Sequence, residues 1–233
     1  GCSLTCKFCA TSRMGRKRNL NFDEIFDQVV LINKEAIAVH GRGLTNIVFM
    51  GMGEPLLNYA EMMKAVEKIS SPEGLGMSPR RITVSTAGIA KMIKKLGDDE
   101  VRFRLALSLH AANDVKRNEI MPINETNDLE SLIEALHYFA EKTGNRISFE
   151  YILLDHFNDY VEDARQLVQI CERIPARVNL IEYNKVEGVS YHRASDDRAK
   201  HFCDYLNNHG VIATIRRSRG KDIDAACGQL ANK

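Results

Sequence analysis

The sequence predicts an α/β fold built from parallel βα units. Short apolar segments typical of buried strands alternate with segments of helical apolar spacing along most of the chain. Glycines, small hydroxyl residues or an amide follow four of these strands, where parallel barrels place their functional loops. The 233 residues suffice for one substantial domain, and the strand–helix alternation implies right-handed crossovers.

Six strands are predicted from short apolar runs. The first, NIVFM, is closed by a glycine and is typical of a strand buried on both faces. The six predicted strands are Asn46–Met50, Arg81–Ser85, Phe103–Leu109, Ile147–Leu153, Val178–Tyr183 and Val211–Ile215.

Five helices are predicted between these strands from apolar residues at helical spacing. Asn127 or Asp128 is a suitable N-cap for the third helix, because its side-chain oxygen can accept a free backbone N–H of the first turn. The five predicted helices are Tyr59–Ser70, Ile89–Leu96, Leu129–Lys142, Val161–Arg173 and Asp196–Asn208.

Composition excludes some classes of protein. The formal net charge is only +1, so a nucleic-acid partner would have to be recognised by local basic clusters. No apolar run is long enough to cross a membrane, and no secretory pattern begins the chain. The six cysteines do not form a disulfide-scaffold pattern, which favours the reducing cytoplasm.

Three cysteines near the start of the chain are the strongest chemical signal. Cys2, Cys6 and Cys9 follow a C-x3-C-x2-C spacing, and no fourth cysteine lies nearby. Three thiolates on one loop can bind three irons of a [4Fe–4S] cluster and leave the fourth iron open for a ligand. A structural zinc site and unligated thiols are the alternatives, although zinc sites usually pair two C-x2-C motifs.

Two glycines and a carboxylate follow the first predicted strand. The segment reads Gly51-Met52-Gly53-Glu54-Pro55, in which the glycines let the backbone approach a ligand closely. The Glu54 carboxylate suits a cationic ammonium group. In isolation, the segment is also compatible with an ordinary turn that carries a solvated glutamate.

Polar residues end three further strands at the same expected rim. Ser85 ends the second strand, Ser108-Leu109-His110 ends the third, and Asn184 follows the fifth. These hydroxyl, imidazole and amide groups could bind ribose, adenine or a carboxylate. The alternatives are a helix N-cap for Ser85, a structural rim histidine for His110 and a turn for Asn184.

Two basic clusters flank the presumed active face. Such clusters are usually solvated surface, but their position on either side of one face favours a phosphate backbone as the partner. The first cluster contains Arg13, Arg16, Lys17 and Arg18, and the second contains Arg216, Arg217, Arg219 and Lys221.

Cys227 differs from the cysteines within the predicted helices. It lies among small and polar residues in DIDAACGQL, so an exposed and reactive thiol is plausible. Cys171 and Cys203 lie among apolar residues and are interpreted as core cysteines.

Taken together, these motifs resemble the RlmN/Cfr family of radical S-adenosylmethionine (SAM) RNA adenine methyltransferases. The resemblance covers essentially the whole chain. It is carried by GCSLTCKFCATSRMG, RNL, FMGMGEPL, STAG, ALSLHA, RxxxMPIN, EYILLDHFND, YNKVEG and DIDAACGQL. The resemblance implies a radical SAM partial (β/α)6 barrel that lacks its first strand in this chain. Residues 1–233 would form the radical SAM core domain, with the N-terminal accessory domain and first strand absent.

The resemblance also implies roles for individual residues. Cys2, Cys6 and Cys9 would ligate the [4Fe–4S] cluster, and Cys227 would be the catalytic, methyl-carrying cysteine. A second cysteine, upstream of this chain, would release the product through a transient disulfide bond. Residues expected to bind SAM are Gly53, Glu54, Ser85, Ser108, Leu109, His110 and Asn184.

The expected substrate is an adenosine in the peptidyl transferase centre of 23S rRNA, together with an adenosine in tRNA. Carbon 2 of adenine is the expected position of methylation, by way of the methylated cysteine. A flavodoxin-like external electron donor is the other expected partner, with no membrane involved. Three alternatives remain open: Cfr-like methylation of carbon 8, a radical SAM enzyme acting on a non-RNA substrate, and a non-catalytic cluster-carrying module.

Overall fold

The computed structural model describes residues 1–218, 220, 223, 226 and 228–230. In these residues, six parallel strands form one sheet in the order β1-β2-β3-β4-β5-β6. The strands are β1 (Ile47–Phe49), β2 (Ile82–Thr86), β3 (Arg104–Ser108), β4 (Ile147–Leu153), β5 (Ala176–Glu182) and β6 (Ala213–Arg216). All six predicted strands are confirmed, and β1 and β6 are the edges of an open sheet.

Seven α-helices are present in the described residues. They are α1 (Phe22–His40), α2 (Tyr59–Ser70), α3 (Ala90–Asp98), α4 (Asp114–Ile120), α5 (Leu129–Thr143), α6 (Val161–Arg173) and α7 (Asp196–Asn208). The five predicted helices are confirmed to within two residues at each end. Short 3₁₀ turns lie at Thr11–Arg13, Pro55–Asn58, Pro79–Arg81 and Pro122–Glu125.

Two helices, α1 and α4, were not predicted from the sequence. Helix α1 begins with a capping box, in which Asn21 accepts from the backbone N–H of Glu24 and the Glu24 side chain accepts from the backbone N–H of Asn21. None of its residues is buried, and Leu31 is 61% exposed. The sequence nevertheless carries apolar residues at helical spacing here, at Phe22, Ile25, Phe26 and Val29, so this helix was predictable from the sequence. Helix α4 has only seven residues, too few for a clear period.

The expected parallel arrangement is confirmed and fixes the position of the candidate site. Because all six strands run in one direction, their carboxyl ends meet at one rim of the sheet. The motifs singled out in the sequence follow β1, β2, β3 and β5 at this rim. The sheet already has six strands, so the expected strand upstream of Gly1 would be an additional one and stays a prediction.

The main core lies between the sheet and its helices, and a second apolar cluster lies beneath the cysteine loop. This second cluster includes Phe8, Ile120, Met121, Ile152 and Tyr183, all at most 8% exposed. Cys6 and Cys9 pack against it. In the described residues, no helix combines the length and the apolar character needed to cross a bilayer.

Candidate active site

The cysteine loop closes on itself through backbone contacts. A Cβ atom at Gly1 would lie 2.4 Å from the carbonyl oxygen of Gly15, so only glycine fits this close approach. The Ser12 hydroxyl donates to the carbonyl oxygens of Cys6 and of Cys9, the latter at 2.7 Å. These contacts hold the three thiols on a compact loop.

The three thiols are close enough to influence one another electrostatically. Burial, with the neighbouring thiols of Cys9 and Cys2, raises the pKa of Cys6 to about 12. Burial also raises the pKa of Cys2. Thiols that resist ionisation in this way require a positive group before they become thiolates, and iron supplies one.

A cluster and a single metal ion place different demands on three thiolates. One zinc with tetrahedral bonds of about 2.3 Å would bring its thiolate ligands within about 3.8 Å of each other. Among the described residues, no three His, Cys, Asp or Glu side chains are arranged to hold one ion. A [4Fe–4S] cluster binds each thiolate to a different iron, which suits three cysteines on one loop.

Glu54 is held inside the rim by backbone donors. Its Oε1 accepts from the N–H of Leu56 at 3.0 Å, and its Oε2 accepts from the N–H of Ala87, beyond β2, at 2.7 Å. Burial raises the pKa of the carboxyl group. The solvated-glutamate alternative is therefore wrong. The two oxygens have about four acceptor sites, so the carboxylate keeps capacity to accept from an ammonium group.

Gly53 lies against the cysteine loop. It has a φ of +98°, which favours glycine, and a Cβ atom there would lie 3.9 Å from the carbonyl oxygen of Gly1. The motif after β1 is thus brought beside the start of the chain.

Ser85 and Ser108 face each other across neighbouring strands. Their hydroxyl oxygens are 3.2 Å apart. The N-cap alternative for Ser85 is wrong, since Ile89 occupies the N-cap position of α3 and gives no side-chain cap. The pair presents two hydroxyl groups at the rim.

His110 is a buried and neutral histidine. Its Nδ1 accepts from the backbone N–H of Ile152 at 3.1 Å, and its ring meets Phe8 edge to face at 4.9 Å between centroids. Burial, with the nearby Arg117 guanidinium, lowers the pKa of the imidazole to about 3. His110 is therefore a structural rim histidine, as the alternative interpretation proposed. Its contact with Phe8 joins the rim to the cysteine loop.

Leu109 and Asn184 are also buried at the rim. The backbone N–H of Leu109 donates to the carbonyl oxygen of Glu150 at 3.0 Å, which joins β3 to β4. The Asn184 amide donates to the Ser218 hydroxyl at 2.9 Å, across to the segment that follows β6. The amide therefore bridges two strand ends instead of only closing a turn.

Cys227 lies outside the described residues, as do Arg219 and Lys221 of the second basic cluster. The described residues near Cys227 in sequence contact the cysteine loop. The Ala10 N–H donates to the Gly228 carbonyl oxygen at 2.8 Å, and the Thr11 hydroxyl donates to the Leu230 carbonyl oxygen at 2.6 Å. Cys171 and Cys203 are half-buried against the main core, as interpreted from the sequence.

The basic residues of the first cluster differ in their contacts. Arg13 donates to the Gly188 carbonyl oxygen at 2.9 Å, and Arg18 forms an ion pair with Glu24 at 2.6 Å. Arg16 and Lys17 are exposed. From the second cluster, Arg217 is exposed as well.

One charged residue of this region was not predicted from the sequence. Arg117, on α4, is fully buried and binds carbonyl oxygens at the ends of β2 and β3. It stands in the motif RxxxMPIN, but an arginine within a polar segment gives no signal of burial.

A cavity of about 420 Å³ adjoins one side of the site. It is lined by Cys2, Gly53 and Glu54, together with apolar side chains of α1 and β1. Ser85, Ser108 and Asn184 are not among its lining residues. The cavity therefore meets the rim only at the cysteine loop and the end of β1.

Comparison with known proteins places this arrangement in a family. The sequence model described as the radical SAM superfamily matches residues 1–168. A Flavobacterium psychrophilum protein named probable dual-specificity RNA methyltransferase RlmN is 53% identical over 233 residues, which cover 100% of this chain and 67% of that protein. The chain belongs to the RlmN family of the radical SAM superfamily.

Two further RlmN proteins are similar to this chain. Those of Christiangramia forsetii and Cytophaga hutchinsonii, also named probable dual-specificity RNA methyltransferases, are each 58% identical over 233 residues. The match covers 100% of this chain in both cases. The chain spans 66% and 64% of the length of these two relatives, which is slightly less than two thirds.

Solved structures share this fold, and one at 42% identity agrees with the assignment to the radical SAM superfamily. A radical SAM methyltransferase from Sphaerobacter thermophilus superposes with a TM-score of 0.95 at 42% identity, covering 98% of this chain and 67% of that chain. SuiB from Streptococcus suis, bound to SAM, has a TM-score of 0.66 at 16% identity, covering 94% of this chain and 48% of that chain. The second likeness shows the shared fold alone. Proteins of the radical SAM superfamily use a [4Fe–4S] cluster and SAM, which confirms the expected cofactors.

Proposed function

We propose that the full-length protein is a radical SAM methyltransferase that methylates carbon 2 of an adenosine in the peptidyl transferase centre of 23S rRNA, and of an adenosine in tRNA. One observation carries this proposal. The cysteine loop and the polar ends of β1, β2 and β3 converge in a chain that is 58% identical to proteins named RNA methyltransferase RlmN. Residues 1–233 would be the radical SAM core, with a first strand and an accessory domain outside this chain.

Cys2, Cys6 and Cys9 would hold the [4Fe–4S] cluster. When bound, such a cluster supplies the electron that cleaves SAM to a 5′-deoxyadenosyl radical. The half-buried loop and the packing of Cys6 and Cys9 on apolar residues would limit the access of water to this chemistry.

The rim would bind and orient SAM. Glu54 would accept the SAM ammonium group through its remaining acceptor capacity, while its two backbone bonds keep the carboxylate in place. Gly53 would allow close approach of the backbone. The hydroxyls of Ser85 and Ser108 and the amide of Asn184 would bind the ribose, adenine or carboxylate of SAM.

Leu109 and His110 would complete the cofactor-binding segment. Because His110 is neutral and its Nδ1 already accepts from Ile152, its side chain would act by packing against Phe8. The imidazole would therefore not supply a proton near neutral pH. The backbone N–H groups of Leu109 and His110 already donate to the carbonyl oxygen of Glu150, so this segment would act by shaping the SAM site.

Cys227 would carry the methyl group. Its thiolate would attack the SAM methyl carbon, forming a carbon–sulfur bond as the sulfonium bond breaks. This step suits adenine, because carbon 2 is a poor nucleophile and direct transfer would be slow. The contacts of Gly228 and Leu230 with the cysteine loop support a role for this segment near the site.

The RNA would be bound through its phosphates, with the target base out of its stack. Arg16, Lys17 and Arg217 are exposed and available for such contacts. A flavodoxin-like protein would donate the electron, and a cytoplasmic location would provide both partners.

The test is anaerobic reconstitution of the full-length protein with iron and sulfide, followed by incubation with SAM, a reductant and 23S rRNA or tRNA. Wild type is compared with Cys227→Ala and with Cys171→Ala, a control at a half-buried cysteine on α6. Nucleosides from the digested RNA are identified by mass spectrometry.

The expected product is 2-methyladenosine from wild type and the control only. Appearance of 8-methyladenosine would reassign the chain to carbon 8 chemistry. Methylated RNA from Cys227→Ala would contradict the carrier role. SAM cleavage without any RNA product would point to a non-RNA substrate, and absence of SAM cleavage would favour a non-catalytic module.

A further inference from the structure

Arg117 is a fully buried cation whose hydrogen-bond partners are all neutral. Its Nε donates to the carbonyl oxygen of Leu109 at 3.0 Å, and its Nη1 donates to the Asn124 side chain. Its Nη2 donates to the carbonyl oxygens of Ala87 at 2.6 Å and Ser108 at 3.2 Å. Within the described residues, Arg117 takes part in no ion pair.

Burying the charged guanidinium is unfavourable unless a negative group nearby offsets the loss of hydration. Transfer of a charge from water to the protein interior is strongly unfavourable, even after the surroundings relax. The Asp114 carboxylate does not contact the guanidinium directly. It accepts from the Asn124 amide at 2.7 Å, and Asn124 in turn accepts from Arg117. Burial lowers the pKa of Arg117 to about 10, so the group remains charged at neutral pH.

The three carbonyl groups that Arg117 binds belong to the ends of β2 and β3. These segments also carry Ser85, Ser108 and His110. The guanidinium is a planar fork with fixed donor directions, so it can hold several oxygens at defined positions. Arg117 therefore sets the position of one strand end relative to the other.

Helix α4 also joins Arg117 to the cysteine loop. The backbone N–H of Lys7, between Cys6 and Cys9, donates at 2.9 Å to the carbonyl oxygen of Ile120 at the end of α4. Phe8 and Ile120 belong to the same buried apolar cluster. The buried cation thus lies on a helix fastened to the loop that carries three potentially anionic sulfurs, where the low dielectric strengthens charge interactions.

We propose that Arg117 is a positioning residue with two effects: its fork fixes the SAM-binding ends of β2 and β3, and its charge is the buried counter-charge of the cluster and its thiolates. This inference rests on the proposed function, because it presumes a cluster on Cys2, Cys6 and Cys9. It assigns a role to a residue that would touch neither SAM nor the RNA base.

Two substitutions separate the effects. Arg117→Lys keeps the charge and loses the fork, whereas Arg117→Gln keeps a donor and loses the charge. Arg173→Gln is the matched control, because Arg173 is exposed and its ion pair among the described residues is with Glu130 at the surface. Each full-length protein is reconstituted anaerobically, and iron content, cluster midpoint potential by EPR-monitored titration and equilibrium binding of SAM are measured.

Arg117→Gln is expected to make reduction of the cluster at least tenfold less favourable, which is a fall in midpoint potential of about 59 mV for one electron. Arg117→Lys is expected to change the equilibrium constant for reduction of the cluster by no more than about threefold from wild type. Both Arg117→Lys and Arg117→Gln are expected to weaken SAM binding at least tenfold. The control should change neither quantity.

A wild-type potential in Arg117→Gln would overturn the counter-charge, and wild-type SAM affinity in Arg117→Lys would overturn the role of the fork. If Arg117→Gln cannot retain iron, the iron content of the two variants is compared instead. Arg117→Lys is then expected to retain iron, and loss of iron from both variants would contradict the counter-charge role of Arg117. Failure of wild type itself to assemble a cluster or bind SAM would refute the proposed function instead.

Discussion

At the scale of single residues, the environment decides the chemistry that each rim side chain can perform. Glu54 and His110 are both titratable groups close to the cysteine loop, but they are held differently. Glu54 is fixed by two backbone donors and keeps acceptor capacity. His110 is buried, neutral and used as an acceptor. The first is therefore suited to bind a cation, and the second to maintain structure.

We expect Glu54→Gln to weaken SAM binding by about 10- to 150-fold. A hydrogen bond to a charged group contributes about 1.5–3 kcal/mol, and the amide would retain the shape of the side chain without its charge. Equilibrium binding of SAM to the reconstituted protein measures the change. Glu130→Gln, at an exposed pair with Arg173, is the control. An unchanged SAM affinity in Glu54→Gln would exclude this carboxylate as the ammonium ligand.

His110 predicts a pH dependence of stability. Because folding lowers its pKa from 6.5 to about 3, the unfolded chain binds the additional proton more readily between these values. Its contribution to stability is complete above about pH 6.5 and is lost as the pH falls towards 3, by at most about 1.4 kcal/mol per pH unit. Chemical denaturation of the apoprotein at a series of pH values measures this slope.

The variant His110→Asn should flatten this slope, since asparagine tolerates the positive φ of 58° and does not titrate. His137→Gln changes an exposed histidine on α5 and should leave the slope as in wild type. If His110→Asn retains the full wild-type slope, other groups cause the acid sensitivity.

At the scale of elements, two adjacent residues cap two different helices. Asp128 accepts from the backbone N–H of Ser131 at 2.8 Å and is the N-cap of α5. Asn127 instead accepts from the backbone N–H of Ala90 at 2.9 Å, at the start of α3. The sequence offered both residues as caps for α5. Only the packing of α3 against α5 assigns one to each helix.

Asp128→Ala is expected to reduce the free energy of unfolding by about 1 kcal/mol, because an orphan N–H at the start of α5 loses its acceptor. Asp128→Asn should lose much less, since asparagine is an equally good N-cap. Denaturant unfolding gives the free energies, and amide hydrogen exchange shows where protection is lost. Equal destabilisation by both variants would mean that the charge, and not the cap, is responsible.

At the scale of the whole molecule, exposed basic pairs lie at both ends of the strands, although the formal net charge is only +1. The exposed residues Arg16 and Lys17 follow the cysteine loop, on the face where the strands end. Lys142 and Arg146 are also exposed, but they precede β4 and lie at the opposite end of the strands. A phosphate backbone bound at the active face would contact only the first pair.

The double variant Arg16→Ala/Lys17→Ala should weaken binding of the substrate RNA and reduce its salt dependence. Each phosphate contact removed lowers the slope of log K against log salt by about 0.7–0.9. Affinities measured at several salt concentrations give this slope, with Lys142→Ala/Arg146→Ala as the control of equal charge. An equal loss of slope in both double variants would contradict recognition through the face of the cysteine loop.

The sequence by itself determined the parallel α/β fold, its six strands and the rim at which the motifs lie. The apolar period and the glycines at strand ends are local signals in the sequence. Because parallel strands all end at one edge of the sheet, these signals also predict that the motifs lie together. The cysteine spacing and the motif set likewise sufficed for the family. Helix α1 carries the same kind of local signal, because its apolar residues recur at helical spacing.

Only the tertiary structure decided how the rim groups are used. Four features depend on contacts with partners about 30 to 42 residues away in the chain. They are the burial of Arg117, the neutrality of His110, the backbone bonds of Glu54 and the division of caps between Asn127 and Asp128. A side chain's desolvation and hydrogen bonds are set by such distant neighbours, which leave no periodic mark in the sequence.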